Sequence, residues 1–258
     1  SLTRNGLPEN NEFVTPLARA LNMDPLTPVR KANGTFAYSR YSDTDITNPV
    51  NAIEQTHDRW HSDRVVGLVF AELKLMPGLT FRSNYSVDAT FAKQNIFYPK
   101  FDLSNDPTLG DAPAREKNLT NSVVVNNNTW KSWQWENVVT WNKIIADRHN
   151  FTLTAGTSTI ESRYEYNGGA NTNLPSNDPK DAFISNTIDP IASQSAYGGA
   201  SETAWQSYFG RVNYEFDDRY LLSAVFRADG SSKFGPNNRF GYFPSLSAGW
   251  IVSHEDFW

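Results

Sequence analysis

Apolar and polar residues alternate over long stretches of this chain, the spacing that puts successive side chains on opposite faces of an extended strand. In "LTFRSNYSVDATFA", residues 79–92, Leu79, Phe81, Tyr85, Val87, Ala89 and Phe91 share one face, and Thr80, Arg82, Asn84, Ser86, Asp88 and Thr90 share the other. Residues 65–75 keep Val65, Val69, Ala71, Leu73 and Leu75 together until "MPG" breaks the run. Over 130–146, Trp133, Trp135, Val139 and Trp141 oppose Gln134, Glu136, Thr140 and Asn142, and Phe151, Leu153 and Ala155 then oppose Thr152 and Thr154. The closing runs set Tyr208, Val212, Tyr214 and Phe216 against Arg211, Asn213 and Glu215. They also set Tyr220, Leu222, Ala224 and Phe226 against Ser223, Arg227 and Asp229, and Tyr242, Leu246, Ala248 and Trp250 against Ser245 and Ser247.

The connections alternate as well. Those near 76–78, 147–150 and 217–218 are very short, 93–129 and 167–203 are long, and 230–239 is of middling length. Outer-membrane barrels have this asymmetry, with tight turns at one end and long extracellular loops at the other. The predicted strands run to about 10–16 residues, whereas soluble strands average about 5–6 and roughly 9–11 tilted residues span a bilayer. The pattern predicts an all-β fold, an antiparallel transmembrane β-barrel over 63–258 with long extracellular loops. Residues 1–62 read as an extended extracellular or lumenal excursion interrupted by Pro, with short helical pieces near 17–22 and 50–57 and a strand piece at "NGTFAYS".

Composition narrows the choice. Mean hydropathy is −0.55, and no apolar run approaches the roughly 18 residues of a membrane helix. Aromatic residues make up 14% of a chain otherwise this polar, which suits side chains facing an interface. A net charge of −5 with no basic run excludes a surface built to neutralise phosphates, so no nucleic-acid partner is expected. The absence of Cys removes disulfides and thiolate metal sites. The N-terminal "SLTRNGLPENNEF" lacks the charged and apolar regions of a signal peptide.

The ordered run F-G-R-V-N-Y, D-R-Y-L-L, R-A-D-G-S-S-K-F-G and G-Y-F-P-S-L-S-A-G-W, within 207–258, resembles the SusC/RagA family of TonB-dependent outer-membrane transporters of the Bacteroidetes. Weaker echoes in "ALNMDPLTPVRKANGTF", "NPVNAIE" and "ELKLMPGLTFRSNYSVD" extend the resemblance to essentially the whole chain. The resemblance implies part of a 22-stranded barrel. The family's signal peptide, carboxypeptidase-like domain, TonB box and plug have no counterpart here, and a partial barrel leaves edges that lipid does not tolerate. A larger polypeptide is therefore expected. It also implies a bacterial outer-membrane location, import of a glycan-derived oligosaccharide or a peptide, a SusD-like surface lipoprotein lid and TonB as energy source. Lipid and lipopolysaccharide would surround it. Two other readings remain: a complete small outer-membrane barrel acting as adhesin or channel, and a secreted β-rich carbohydrate-binding module.

The candidate site residues follow from the two faces. Arg82, Asn84, Asp88, Gln134, Glu136, Arg211, Asn213 and Arg227 are expected to line the lumen or touch the plug. Trp133, Trp135, Trp141, Tyr242 and Trp250 are expected to form interfacial aromatic girdles, the alternative being that the Trp residues stack on sugar rings. The family motif Asp229, Gly230, Ser231, Ser232, Phe234 and Gly235 reads as a tight connection in which Gly230 and Gly235 supply positive φ and Asn237 and Asn238 tolerate it. His57 and His61 have a spacing that could hold a metal on a helix, and Asp43, Asp45, Asp106 and Asp111 could offer oxygens to calcium; neither set has the further ligands such a site requires, so no metal and no cofactor is expected. No catalytic motif occurs, and the protein is not expected to be an enzyme.

Overall fold

The computed structural model describes residues 2–5, 15–39, 48–102, 117–188 and 193–257. Within them lie β1 (Leu2–Asn5), α1 (Pro16–Asn22), α2 (Pro49–Gln55), β2 (His57–Met76), β3 (Leu79–Tyr98), β4 (Phe101–Asp102), β5 (Lys117–Asn118), β6 (Ser122–Ile145), β7 (His149–Thr172), β8 (Ser195–Phe216), β9 (Tyr220–Ser231) and β10 (Phe240–Trp250). Eight strands form one sheet in the order β1-β2-β3-β6-β7-β8-β9-β10, with β1 and β10 at its two ends, and β4 pairs with β5. No described helix is long and apolar enough to cross a membrane.

The strands are longer than the alternation predicts. β6 and β7 each have 24 residues and β8 has 22, so the long connections shrink to 99–121 and 173–194. Runs such as "VVVNNN" and "YNGGANT" are strand although neither alternates, the first being apolar and then polar on both faces and the second mostly polar on both, so hydropathy contrast vanishes there. β2 likewise begins at His57, inside the stretch read as an excursion. "NGTFAYS" contributes one isolated bridge, Phe36 to Arg30.

The chain divides into two compact units: Ser1–Asp63, Phe91–Asn128 and Glu165–Gly199, and Arg64–Thr90, Thr129–Tyr164 and Ala200–Trp258. The first holds a small core of Phe97, Val123 and Leu174, packed by Val125, Ala182 and Ile184. Buried Asn121 secures the chain beside that core: its amide donates to the carbonyls of Leu174 (3.2 Å) and Ser176 (2.8 Å), and its Oδ1 accepts from Leu174 N (2.7 Å). Pro at the first position and Asn48 at the N-cap start α2; Asn48 Oδ1 accepts from Val50 N and Asn51 N, while its amide donates to Val29 and Ala37 carbonyls.

In the second unit the register sorts the faces. Tyr208 pairs with Ala228 and Ala228 with Tyr242; Val212 pairs with Ala224 and Ala224 with Leu246; Phe216 pairs with Tyr220 and Tyr220 with Trp250. These apolar positions form one face, and Arg211, Asn213, Ser223, Arg227 and Ser247 fall on the other. Hairpin turns hold that register. Asp217 and Asp218 both have positive φ, 57° and 52°, the pair of values a type I′ turn needs. Gly78 has φ 82°, its carbonyl accepts from Asn142 N at 2.8 Å, and a Cβ there would collide with the Asn142 carbonyl oxygen.

The turns are tied to one another. Asp217 N donates to Arg148 O, and Ile251 N donates to Arg219 O, both at 2.8 Å. Arg148 grips Asp217 through two parallel bonds of 3.0 and 2.9 Å, and Arg219 bridges Asp217 to Glu255. Glu255 also accepts from Tyr220 OH (2.6 Å) and Trp250 Nε1 (3.0 Å), and His254 Nδ1 lies 2.8 Å from Asp218 O. The Arg148 guanidinium holds Asp217 below the usual carboxylate range, and the Tyr220 and Trp250 donors do the same for Glu255.

Two outcomes follow. Gly78→Ala should cost at least about 2 kcal/mol, from the left-handed backbone and the clash together; a lowered denaturant midpoint of the refolded full-length protein would show it, and an unchanged midpoint would refute the turn geometry. Because Asp217 and Glu255 titrate low, the turn belt is complete above the ordinary carboxylate pKa and is lost as pH falls below about 4. Hydrogen exchange at the Asp217 and Ile251 amides, corrected for intrinsic rates, should lose protection over that window, and Asp217→Asn should flatten the dependence at residue 217.

Candidate functional site

All eight lumen candidates lie on the polar face, in several local networks. Arg82 Nε donates to Asn84 Oδ1 at 2.9 Å, faces Glu72 at 3.8 Å and lies 4.6 Å above the Phe70 ring. Asn84 in turn donates to Glu136 at 3.3 Å, so Arg82, Asn84 and Glu136 form one cluster. Gln134 reaches Ser158 at 3.4 Å, and Asp88 is held by Arg64 through bonds of 2.9 and 2.5 Å. On β8 and β9, Asn213 Oδ1 accepts from Arg211 and Ser223, whereas Arg227 is bound by Asp229 at 2.7 Å and donates to Ser207 at 3.1 Å. Arg64, Arg82 and Arg227 thus each face a carboxylate, whereas Arg211 and Glu136 are bonded to the neutral amides of Asn213 and Asn84, and the wall is strongly hydrophilic.

The five girdle candidates lie on the apolar face, at different heights. Trp133 stacks on Tyr85 with centroids 6.2 Å apart, and Trp135 Nε1 donates to Ser83 Oγ at 2.9 Å. Tyr242 stacks on Phe226, and Trp250 meets Glu255 beside the turn belt. Trp141 lines a shallow groove with Val139, Leu153, Val212, Ala224 and Phe226, and Ala224 pairs with Leu246, midway along β10 between Tyr242 and Trp250. Alternation reports which face a side chain occupies and carries no information on height.

The Asp229–Gly235 motif, expected as a tight connection, begins as the end of β9, where Asp229 pairs with Gly241 and Gly230 with Phe240, and only Ser232–Gly235 belong to the connection. Ser231 N donates to Arg239 O, Ser232 exchanges bonds with the Ala204 backbone through both its N and its Oγ, and Phe234 N donates to Ser231 O. Neither motif glycine has positive φ, contrary to expectation; among the described residues Gly34 and Gly78 are the glycines that do. Gly230 instead makes room for Phe240, whose ring carbons lie 2.8 Å from where a Cβ would stand.

His57 and His61 lie on strand β2, where four residues span roughly 13 Å and cannot share an ion. His57 packs near Phe97, and His61 bonds Thr3 and Asp63. No group of three potential metal ligands occurs among the described residues. Asp43, Asp45, Asp106 and Asp111 lie outside those residues.

One aromatic pair escaped the sequence reading. Trp130 stacks on Tyr164 with centroids 5.1 Å apart and planes at 21°, in a groove shared with Ser132, Ser162, Arg64 and Asp88. The signal was parity: Trp130 is even-numbered like Ser132, Gln134 and Glu136, whereas Trp133, Trp135 and Trp141 are odd.

No family model matches the chain. It is 31% identical over 227 residues to the TonB-dependent receptor P39 of Formosa agariphila, which covers 87% of this chain and 20% of that protein. It is 27% identical over 214 residues to the TonB-dependent receptor SusC of Bacteroides thetaiotaomicron, 81% of this chain and 19% of that one. The chain therefore spans about a fifth of the length of the curated relatives it matches. In fold it is similar to the RagAB peptide importer in its closed-closed state, with a TM-score of 0.71 at 22% identity over 88% of this chain and 24% of that one. The structure of the RagAB peptide transporter gives 0.69 at 23% identity over 84% and 23%.

Proposed function

We propose, for a chain homologous to the SusC-type TonB-dependent receptors and sharing their antiparallel barrel fold, that the protein carrying it imports a nutrient across the bacterial outer membrane. The observation that supports this most directly is the two-faced sheet. Its apolar face carries Tyr208 and Tyr242 at one level, Phe216, Tyr220 and Trp250 at the other, and Val212, Leu222, Ala224 and Leu246 between them. Eight residues separate the levels (208 to 216, 242 to 250), about 26 Å along a strand, which matches the roughly 25 Å apolar band of an outer-membrane barrel once some tilt is allowed. The opposite face bears the charged and amide side chains of Arg82, Asn84, Asp88, Gln134, Glu136, Arg211, Asn213 and Arg227, and would line the solute path or meet the plug.

In this reading a SusD-like surface lipoprotein covers the outer mouth, TonB supplies energy from the inner membrane, and an oligosaccharide or peptide is the cargo. Of the stretch before β2, the helices α1 (Pro16–Asn22) and α2 (Pro49–Gln55) belong to an extracellular or lumenal excursion from the wall. The pairing of Arg64, Arg82 and Arg227 with carboxylates has a physical role here. A moving solute meets hydrogen-bonding groups without a large net field, so the wall need not trap it electrostatically.

Two measurements test the assignment. Fractionation of the native bacterium should recover the full-length protein in the outer membrane together with a surface lipoprotein, and deletion of its gene or of tonB should abolish the same oligosaccharide or peptide uptake. Recovery from the medium, or uptake that survives loss of TonB, would refute it. Leu246 is 74% exposed at the centre of the apolar face. Leu246→Arg should cost about 2–4 kcal/mol in refolding into bilayers, whereas Ser247→Arg on the polar face should stay within about 0.5 kcal/mol. Equal costs would refute the face assignment.

A further inference from the structure

The Trp130–Tyr164 pair is out of place on a face otherwise suited to water. Phe70 and Phe209, on the same face, lie under the guanidinium groups of Arg82 and Arg227 at 4.6 and 5.7 Å from the ring centres. Trp130 keeps 38% of its surface exposed in a groove of about 280 Å³. That volume is near the lower limit of small-ligand clefts, about 300 Å³, and suits a single ring.

We propose that Trp130 and Tyr164 form the stacking platform of a sugar-ring subsite on the polar wall, with Arg64, Asp88, Ser132 and Ser162 as its hydrogen-bonding rim. This deepens the import reading and rests on it. A pyranose has apolar C–H faces and a rim of hydroxyls that both donate and accept. The groove has the complementary division, an aromatic floor beside polar groups of both kinds. The Ser132 and Ser162 hydroxyls lie 2.9 Å apart; one proton is used between them and the other is available to a ligand. The Arg64 and Asp88 side chains are 64% and 38% exposed while bound to each other. Arg64 keeps further N–H groups and Asp88 further lone pairs, so the pair can donate and accept at once.

The same pair argues against a peptide. Of the charged residues lining the groove, which include Lys131, Arg64 is paired with Asp88 and Arg163 with Glu202, so little net charge is left for a terminus or ionic side chain. A phenyl group stacked on the indole would itself offer the serines and the ion pair no partner, leaving that task to the peptide backbone alone. A neutral polyol uses all of them.

The test is calorimetric binding to the full-length receptor purified in detergent, with α- and β-linked neutral hexose hexamers and a Phe-containing hexapeptide as probes. Trp130→Leu keeps an apolar side chain and removes the aromatic face, and Trp130→Phe retains a ring; heat-modifiable migration on gels verifies that each variant is a folded barrel. At least one hexamer should bind, Trp130→Leu should weaken it tenfold or more, and Trp130→Phe should stay within about threefold of wild type. Unchanged hexamer affinity in Trp130→Leu, failure of wild type to bind any hexamer, or a Trp130→Leu effect confined to the hexapeptide would each overturn the subsite. TonB-dependent uptake, measured in the same strains, separates the two proposals: if it persists in wild type while hexamer binding fails these criteria, the subsite alone falls, and if it is absent the import reading falls with it.

Discussion

Strand register is the constraint on which the rest of this molecule depends. Side chains alternate with a period of two, so a slip of one residue in any pairing would carry a whole row to the opposite face. With Tyr208 opposite Ala228 and Ala228 opposite Tyr242, Arg227 and Arg211 share the polar face. Displaced by one, those guanidiniums would stand among Val212, Leu222 and Leu246. In lipid such a displacement would cost several kcal/mol for each charge near the midplane. Few residues of the second unit are buried, so correct pairing, and not a packed interior, keeps each side chain on its proper side.

Register is set where the chain reverses. The Asp217–Asp218 turn adopts the twist of its flanking strands, Gly78 lets one turn approach the Asn142 backbone, and the Arg148–Asp217–Arg219–Glu255 chain couples successive turns to the segment after β10. Arg148 is exposed and Asp217, Arg219 and Glu255 are half-buried, and ion pairs of this kind near the surface would each count for little alone. Their effect here is collective, since Asp217 answers two arginines and Glu255 accepts from three donors, which leaves the turns one common arrangement.

The sequence made the faces legible and the heights illegible. Alternation placed Arg82, Asn84 and Asp88 opposite Tyr85 and Val87, and the register of β8, β9 and β10 follows the same parity. Trp141 lay on the anticipated face and yet in the middle of the aliphatic band, because the distance from a turn decides height and the turn itself was placed only roughly. The outer halves of β6, β7 and β8 escape alternation for another reason: where successive residues are alike, three Val and then three Asn in "VVVNNN", no contrast between faces marks a strand, and backbone pairing alone reveals it. Gly230 and Gly235 were assigned positive φ from residue type, whereas Gly230 answers to the ring of Phe240 across the strand pair. Steric demands imposed by a partner strand are invisible to a local reading.

Parity also explains how one residue type serves two ends in this chain. Trp130 and Trp133 are three positions apart, so they occupy opposite faces: one stacks on Tyr164 beside an ion pair and two serines, the other on Tyr85 among apolar neighbours. A content of 14% aromatic residues therefore says little until register divides it. On the polar side three arginines are already paired, Arg64 with Asp88, Arg82 with Glu72 and Arg227 with Asp229. Beside such pairs selectivity owes less to net charge than to the shape of exposed rings such as Trp130 and the geometry of the hydroxyl and amide groups next to them, terms that act only at contact.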